Sequence, residues 1–171
     1  MMRLYGVAIF ATLAWTAIAL PQKGMPTIQQ SFRFQRSEVI GLKREASQAS
    51  SVRRREILQR LMNVAIADVD KLIGLKILNN ADESDLATAI FALQPVVLEA
   101  IEQVAALESR TARVASHAIR ALRILSAETV RSNVKTGSKA EVIAWARAQQ
   151  KVHPKVRQEL VKANEALKKG S

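Results

Sequence analysis

A chain of 171 residues with no cysteine and a net charge of +11 has no disulfide, no thiolate nucleophile, no Cys-ligated zinc and no iron–sulfur cluster. Only 4% of its residues are aromatic, and Tyr5, Phe10 and Trp15 all fall in one N-terminal apolar run, so the core has to be built from Ala, Leu, Ile and Val. That is the composition of packed helices rather than of a β-sandwich. The charge is laid down in blocks: basic over 22–60, acidic over 61–108 and strongly basic over 109–171. Such blocks either attract one another inside the fold or offer separate faces to partners.

Leu4 to Leu20 is an uncharged run preceded by Arg3 and closed by Pro21. Two readings stand side by side. In one, residues 1–20 are a secretory signal, with Arg3 as the basic start and Ala17-Ile18-Ala19 as the small-x-small cleavage pattern. In the other they are a retained transmembrane anchor, since about 17 apolar residues is the lower limit for crossing a bilayer. Arg33, Arg36, Lys43 and Arg44 follow the run and Arg3 alone precedes it. An anchor would therefore leave the following domain on the cytosolic or matrix side. A cleaved signal would deliver it to the periplasm or the exterior.

Residues 21–36 read as a linker, because Pro21, Gly24 and Pro26 oppose a helix. The first long helix is expected over 37–78, with a break in the serine-rich stretch 47–51. Leu58, Met62, Ala65, Val69 and Leu72 recur at spacings of four and three, one amphipathic stripe, and Ile66, Ile73 and Ile77 add a second row. Asn79-Asn80 is a candidate C-cap. Asp82, Glu83 and Asp85 favour the start of a second helix. Its stripe, Leu86, Ile90, Leu93, Val97, Ile101 and Val104, stays in phase across Pro95, which predicts a bend rather than a split. A third helix is expected over 109–132, with Ala115, Ala118, Leu122 and Leu125 inward. Ser138-x-x-Glu141 is a capping box that opens a fourth helix. Pro154 suits the first turn of a fifth, lined by Val156, Leu160, Ala163 and Leu167. The fold class is thus all-α: an N-terminal hydrophobic signal or anchor helix, then an antiparallel bundle of four to five helices over 37–171.

No motif for metal, nucleotide or acyl chemistry occurs. His117 and His153 lack a carboxylate three or four residues away, and no phosphate-cradling glycine pattern or nucleophile elbow is present. Asp68 and Asp70, two apart, point to different sides of a helix and form no catalytic pair. The chain reads as a non-enzyme without catalytic residues, metal, cofactor or small-molecule substrate. What remains is charge. Arg110, Arg113, His117 and Arg120 follow spacings of three, four and three, and Arg123 extends this basic stripe. A stripe of like charge calls for an acid opposite: phosphate, anionic lipid, another protein, or the chain's own residues 82–108. Arg53, Arg54 and Arg55 are a second candidate cluster for an anionic partner, although they are contiguous and fan around a helix, as a solvated face also would. Aromatic residues are not interleaved with these clusters, which argues against a platform for single-stranded nucleic acid. Nonspecific contacts to a nucleic-acid backbone remain available through charge. The expected function is a helical structural or assembly protein, membrane-tethered through residues 4–20 or exported. It would act as an accessory subunit binding protein partners of a larger complex. The alternative is a membrane-tethered basic nucleic-acid-binding module.

Overall fold

A computed structural model describes residues 27–77, 81–131 and 138–170. They form six α-helices: α1 Ile28–Gln48, α2 Ser51–Gly74, α3 Ala81–Ala105, α4 Ala112–Arg131, α5 Lys139–Gln150 and α6 His153–Lys169. One 3₁₀ turn, Ser109–Thr111, leads into α4, and no strand occurs among the described residues. The apolar run 4–20 and the Asn79-Asn80 cap lie outside the described residues.

The break expected in the serine-rich stretch is where α1 gives way to α2. Ser50 caps α2 by accepting from the Arg53 amide at 3.3 Å. The linker expectation needs correcting at its C-terminal end, because residues 28–36 belong to α1. Pro26 falls just outside the helix. Thr27-x-x-Gln30 is itself a capping box, the Thr27 hydroxyl accepting from the Gln30 amide and the Gln30 side chain accepting from the Thr27 amide. Two otherwise orphaned donors are satisfied there, so the helix starts nine residues early, at Ile28 rather than 37. The Ser138–Glu141 box opens α5 as the spacing predicts.

Long-range bonds fix the directions of the helices. Gln35 meets Asp68, and Glu45 meets Arg53, so α1 and α2 run antiparallel. Gln94 reaches Ala65, and Arg54 reaches Glu108, which sets α3 antiparallel to α2. Gln59 meets Asn164 and Arg157 meets Asp70, which does the same for α6. The apolar stripes converge between them. Leu58, Met62, Ala65, Val69 and Leu72 of α2 are at most 1% exposed, and Ile90, Val97 and Ile101 of α3 are fully buried. A helix with neighbours on most sides must be apolar on most sides. This accounts for α3 being, among the described residues, the one helix long and apolar enough to span a membrane by composition. Just over half of that stretch is buried inside the bundle, 56%. Pro95 lies within α3, which continues past it, since packing of the in-phase stripe outweighs the lost backbone bond.

The short helix α5 closes the end of the bundle where α2 stops. The Gln150 side-chain amide lies 2.9, 3.2 and 2.6 Å from the carbonyls of Leu72, Ile73 and Leu75. Arg147 donates to the Ile77 carbonyl. Leu72 and Ile73 belong to the last turn of α2, whose carbonyls lack a fourth-residue helical donor, and Leu75 and Ile77 follow the helix end. Trp145 packs edge-on against Phe91 of α3, ring centroids 5.1 Å apart. Replacing Gln150 by Ala should destabilise the protein by about 1–2 kcal/mol. Amide exchange should accelerate first in the last turn of α2; uniform protection there would count against the capping role.

Candidate anion-facing surface

Helix α4 places its apolar side, Val114, Ala118, Ala121 and Leu125, in the core. Arg113, Arg120 and Arg123 are turned outward as the spacing predicts, and Arg110 is exposed on the 3₁₀ turn before them. His117 is half-buried at the edge of the stripe. The acid that meets it comes from α6 and not from residues 82–108. Glu159 Oε2 is 2.8 Å from His117 Nδ1 and 4.0 Å from Arg120 Nη1, and Lys162 Nζ lies 2.9 Å from Oε1. The reason is geometric. α3 and α4 face each other with their apolar stripes, so the exposed carboxylates of α3 do not reach the outer side of α4, whereas the flank of α6 does. Partial burial would push the Glu159 carboxyl up, but His117 and Lys162 more than offset it and hold it below the usual carboxylate range. Arg110, Arg113 and Arg123 have no ion-pair partner among the described residues.

The arginine triplet is spent differently. Arg53 bonds Glu45 at 2.7 Å and Glu56 at 2.9 Å. Arg54 donates to the Ala46 carbonyl at 2.9 Å and to Glu108 at 3.1 Å. Arg55 donates to the Gly170 carbonyl at 2.7 Å. Three neighbouring side chains leave one helix about 100° apart and tie it to α1, to the end of α3 and to the end of α6. Each guanidinium has an internal acceptor, so the triplet fastens one end of the bundle. Glu108 also accepts from Ser51 at 2.8 Å, and its carboxyl is held low by that bond and by Arg54.

Among the described residues six polar side chains are buried, Asp68, Gln94 and His153 among them. Asp68, 8% exposed, accepts from Gln35 at 2.9 Å; burial pushes its carboxyl up to about 6, against the pull of Gln35 and Lys71. Gln94 is fully buried, its amide nitrogen 3.5 Å from the Ala65 carbonyl and its Oε1 without a protein partner. His153 is fully buried, with Nδ1 donating to the Gln149 carbonyl at 2.8 Å. That bond fixes the neutral tautomer, and burial lowers the basicity of the ring. Its Nε2 has no protein partner among the described residues. The Phe91 ring lies edge-on to it at 6.1 Å. None of these sits beside a nucleophile, and no three His, Asp or Glu of the described residues come together as metal ligands. An open cleft lined by Leu75, Lys76, Ile77, Arg147, Gln150 and Lys151 flanks the capped end of α2.

Sequence reasoning missed Glu159. Its only local mark is a lysine three residues on, and its contact with His117 spans 42 positions. It also did not separate Phe32, which packs on the core, from Phe34, which is 71% exposed. The chain matches no protein family, no curated protein and no solved structure.

Proposed function

We propose that this chain is a non-enzymatic helical assembly protein that works at a membrane. It serves as an accessory subunit of a larger complex and meets an acidic partner through basic helix faces. The observation that carries this reading is the set Arg110, Arg113 and Arg123, exposed along one side of the α4 region and without an ion-pair partner among the described residues. Like charges gathered on one face repel one another, and an external acid relieves that. The uncharged run 4–20 supplies the link to a bilayer, either as an anchor or as an export signal. Tethering at a surface also raises the effective concentration of the basic face for a partner held there.

The N-terminal sequence of the mature protein from its native fraction tests the membrane half of this reading. A start at Met1 with sedimentation in the membrane fraction means an anchor, and a start at Leu20 means export. A Met1 start in a freely soluble fraction overturns the membrane assignment. The overall charge of +11 favours one second reading, a tethered module that grips nucleic-acid backbone. That reading requires duplex binding at low salt that weakens steeply as salt rises.

A further inference from the structure

We propose that the outward face of α1 lies on an anionic lipid bilayer, its cations on the lipid phosphates and Ile40 dipping between the headgroups. Arg33, Arg36, Ile40 and Lys43 follow spacings of three, four and three, and Arg44 adjoins them, so an isoleucine sits at the middle of four cations. All five are exposed, Ile40 by 44%. The carboxylates of α1 are on the other flank. Glu38 pairs with Arg60 and Glu45 with Arg53, both toward α2. The helix is therefore split electrically. Its acids are paired at the surface with arginines of α2, and Arg33, Arg36, Lys43 and Arg44 have no ion-pair partner among the described residues. Phe34, 71% exposed, lies about a third of a turn round from Ile40, on the flank of Glu38, and is not part of this face.

The chemistry of this face selects lipid over the other acids. A nucleic-acid backbone would take the four cations and leave Ile40 wet. The boundary between headgroups and acyl chains takes both, because long basic side chains reach up to phosphate while apolar neighbours sink below it. Placement agrees. The uncharged run ends at Leu20 and α1 begins at Ile28. The eight residue-to-residue steps from Leu20 to Ile28 span at most about 28 Å even when fully extended, so α1 stays within reach of any surface that the run enters. A basic segment directly after such a run is attracted by an anionic leaflet. The inference rests on the membrane reading above for this proximity, but the charge and exposure of α1 stand without it.

The absence of cysteine permits a clean test on the full chain. Ile40→Cys and, as a control, Glu165→Cys on the exposed side of α6 are each labelled with a dye that brightens and blue-shifts in apolar surroundings. The labelled protein is mixed with vesicles of phosphatidylcholine alone or with added phosphatidylglycerol, and flotation is measured in parallel. The expected result is a blue shift at position 40 with anionic vesicles only. It should be abolished by high salt and reduced more than tenfold in vesicle affinity by Arg33→Glu with Arg36→Glu, Lys43→Glu and Arg44→Glu; position 165 should stay unchanged. A thermal melt verifies the fold of the reversed variant. Should it not fold, the pair Lys43→Glu with Arg44→Glu and the salt titration carry the test. A chain that floats with neutral vesicles while position 40 stays wet on anionic ones overturns this inference and leaves the anchor intact. A shift confined to anionic vesicles, without flotation on neutral ones, supports the α1 face and sinks the anchor. A shift driven by duplex DNA or an acidic polypeptide instead of lipid overturns the assignment to a bilayer.

Discussion

Asp68→Asn should stabilise the protein at neutral pH and leave it nearly unchanged at pH 4. The carboxyl is 8% exposed on α2, faces Gln35 of α1 and is pushed up to about 6 from an ordinary value of 3.8. A folded-state value above the unfolded one means that the folded protein prefers the protonated form. Its contribution is complete below the unfolded value and is lost as pH rises through about 6. A shift of roughly two units corresponds to an order of 3 kcal/mol lost by pH 7. Asparagine keeps an oxygen for the Gln35 amide and never ionises, so a gain of about 1–3 kcal/mol is expected at pH 7. His153 acts in the opposite sense. Burial holds its ring below the usual value, so its contribution is intact at neutral pH and is lost as pH falls below the unfolded value of 6.5. Denaturant melts of the variant and the parent across pH 4–8 isolate Asp68, because His153 is common to both. A variant less stable than the parent at pH 7, or a difference independent of pH, would sink the assignment.

Ile101→Ala should be the most damaging single truncation of the core. Ile101 is fully buried on α3, the helix that packs against α1, α2, α4 and α5. Deleting its outer carbons removes transfer energy and leaves a cavity that the packed core closes only in part, at a cost of about 2–5 kcal/mol. For a chain of this size that is a fall in Tm of roughly 5–15 °C. Ile101→Val, which opens little space, should cost about 0.5–1.5 kcal/mol. Calorimetry of both variants checks the order; equal losses would mean that the site relaxes around the cavity.

The elements were legible because the signals that make them are local. The stripe from Leu58 to Leu72, the phase kept across Pro95, the Ser138 box and the proline opening α6 each lie within a few residues and read directly as helix and cap. The same grammar held one sign that was passed over. Thr27-x-x-Gln30 has the form of a capping box, but the prolines and glycine around it drew the segment toward a linker. The uses of the charges were not legible. Arg53, Arg54 and Arg55 looked alike as a run, yet their acceptors lie 8, 54 and 115 positions away.

The sequence by itself determined that the described chain is helical, where most helices begin and end, and which side of each is apolar. Periodicity and capping act through neighbours three or four places apart, so they need no tertiary partner to be read. Only the tertiary structure decided which cations are spent inside the bundle and which stay outside. Glu159 is brought to His117 and Glu108 to Arg54, while Arg113, Arg123 and the outer cations of α1 are left facing solvent. An ion pair depends on distance in space, and helices that pack antiparallel bring together residues that the chain order holds far apart.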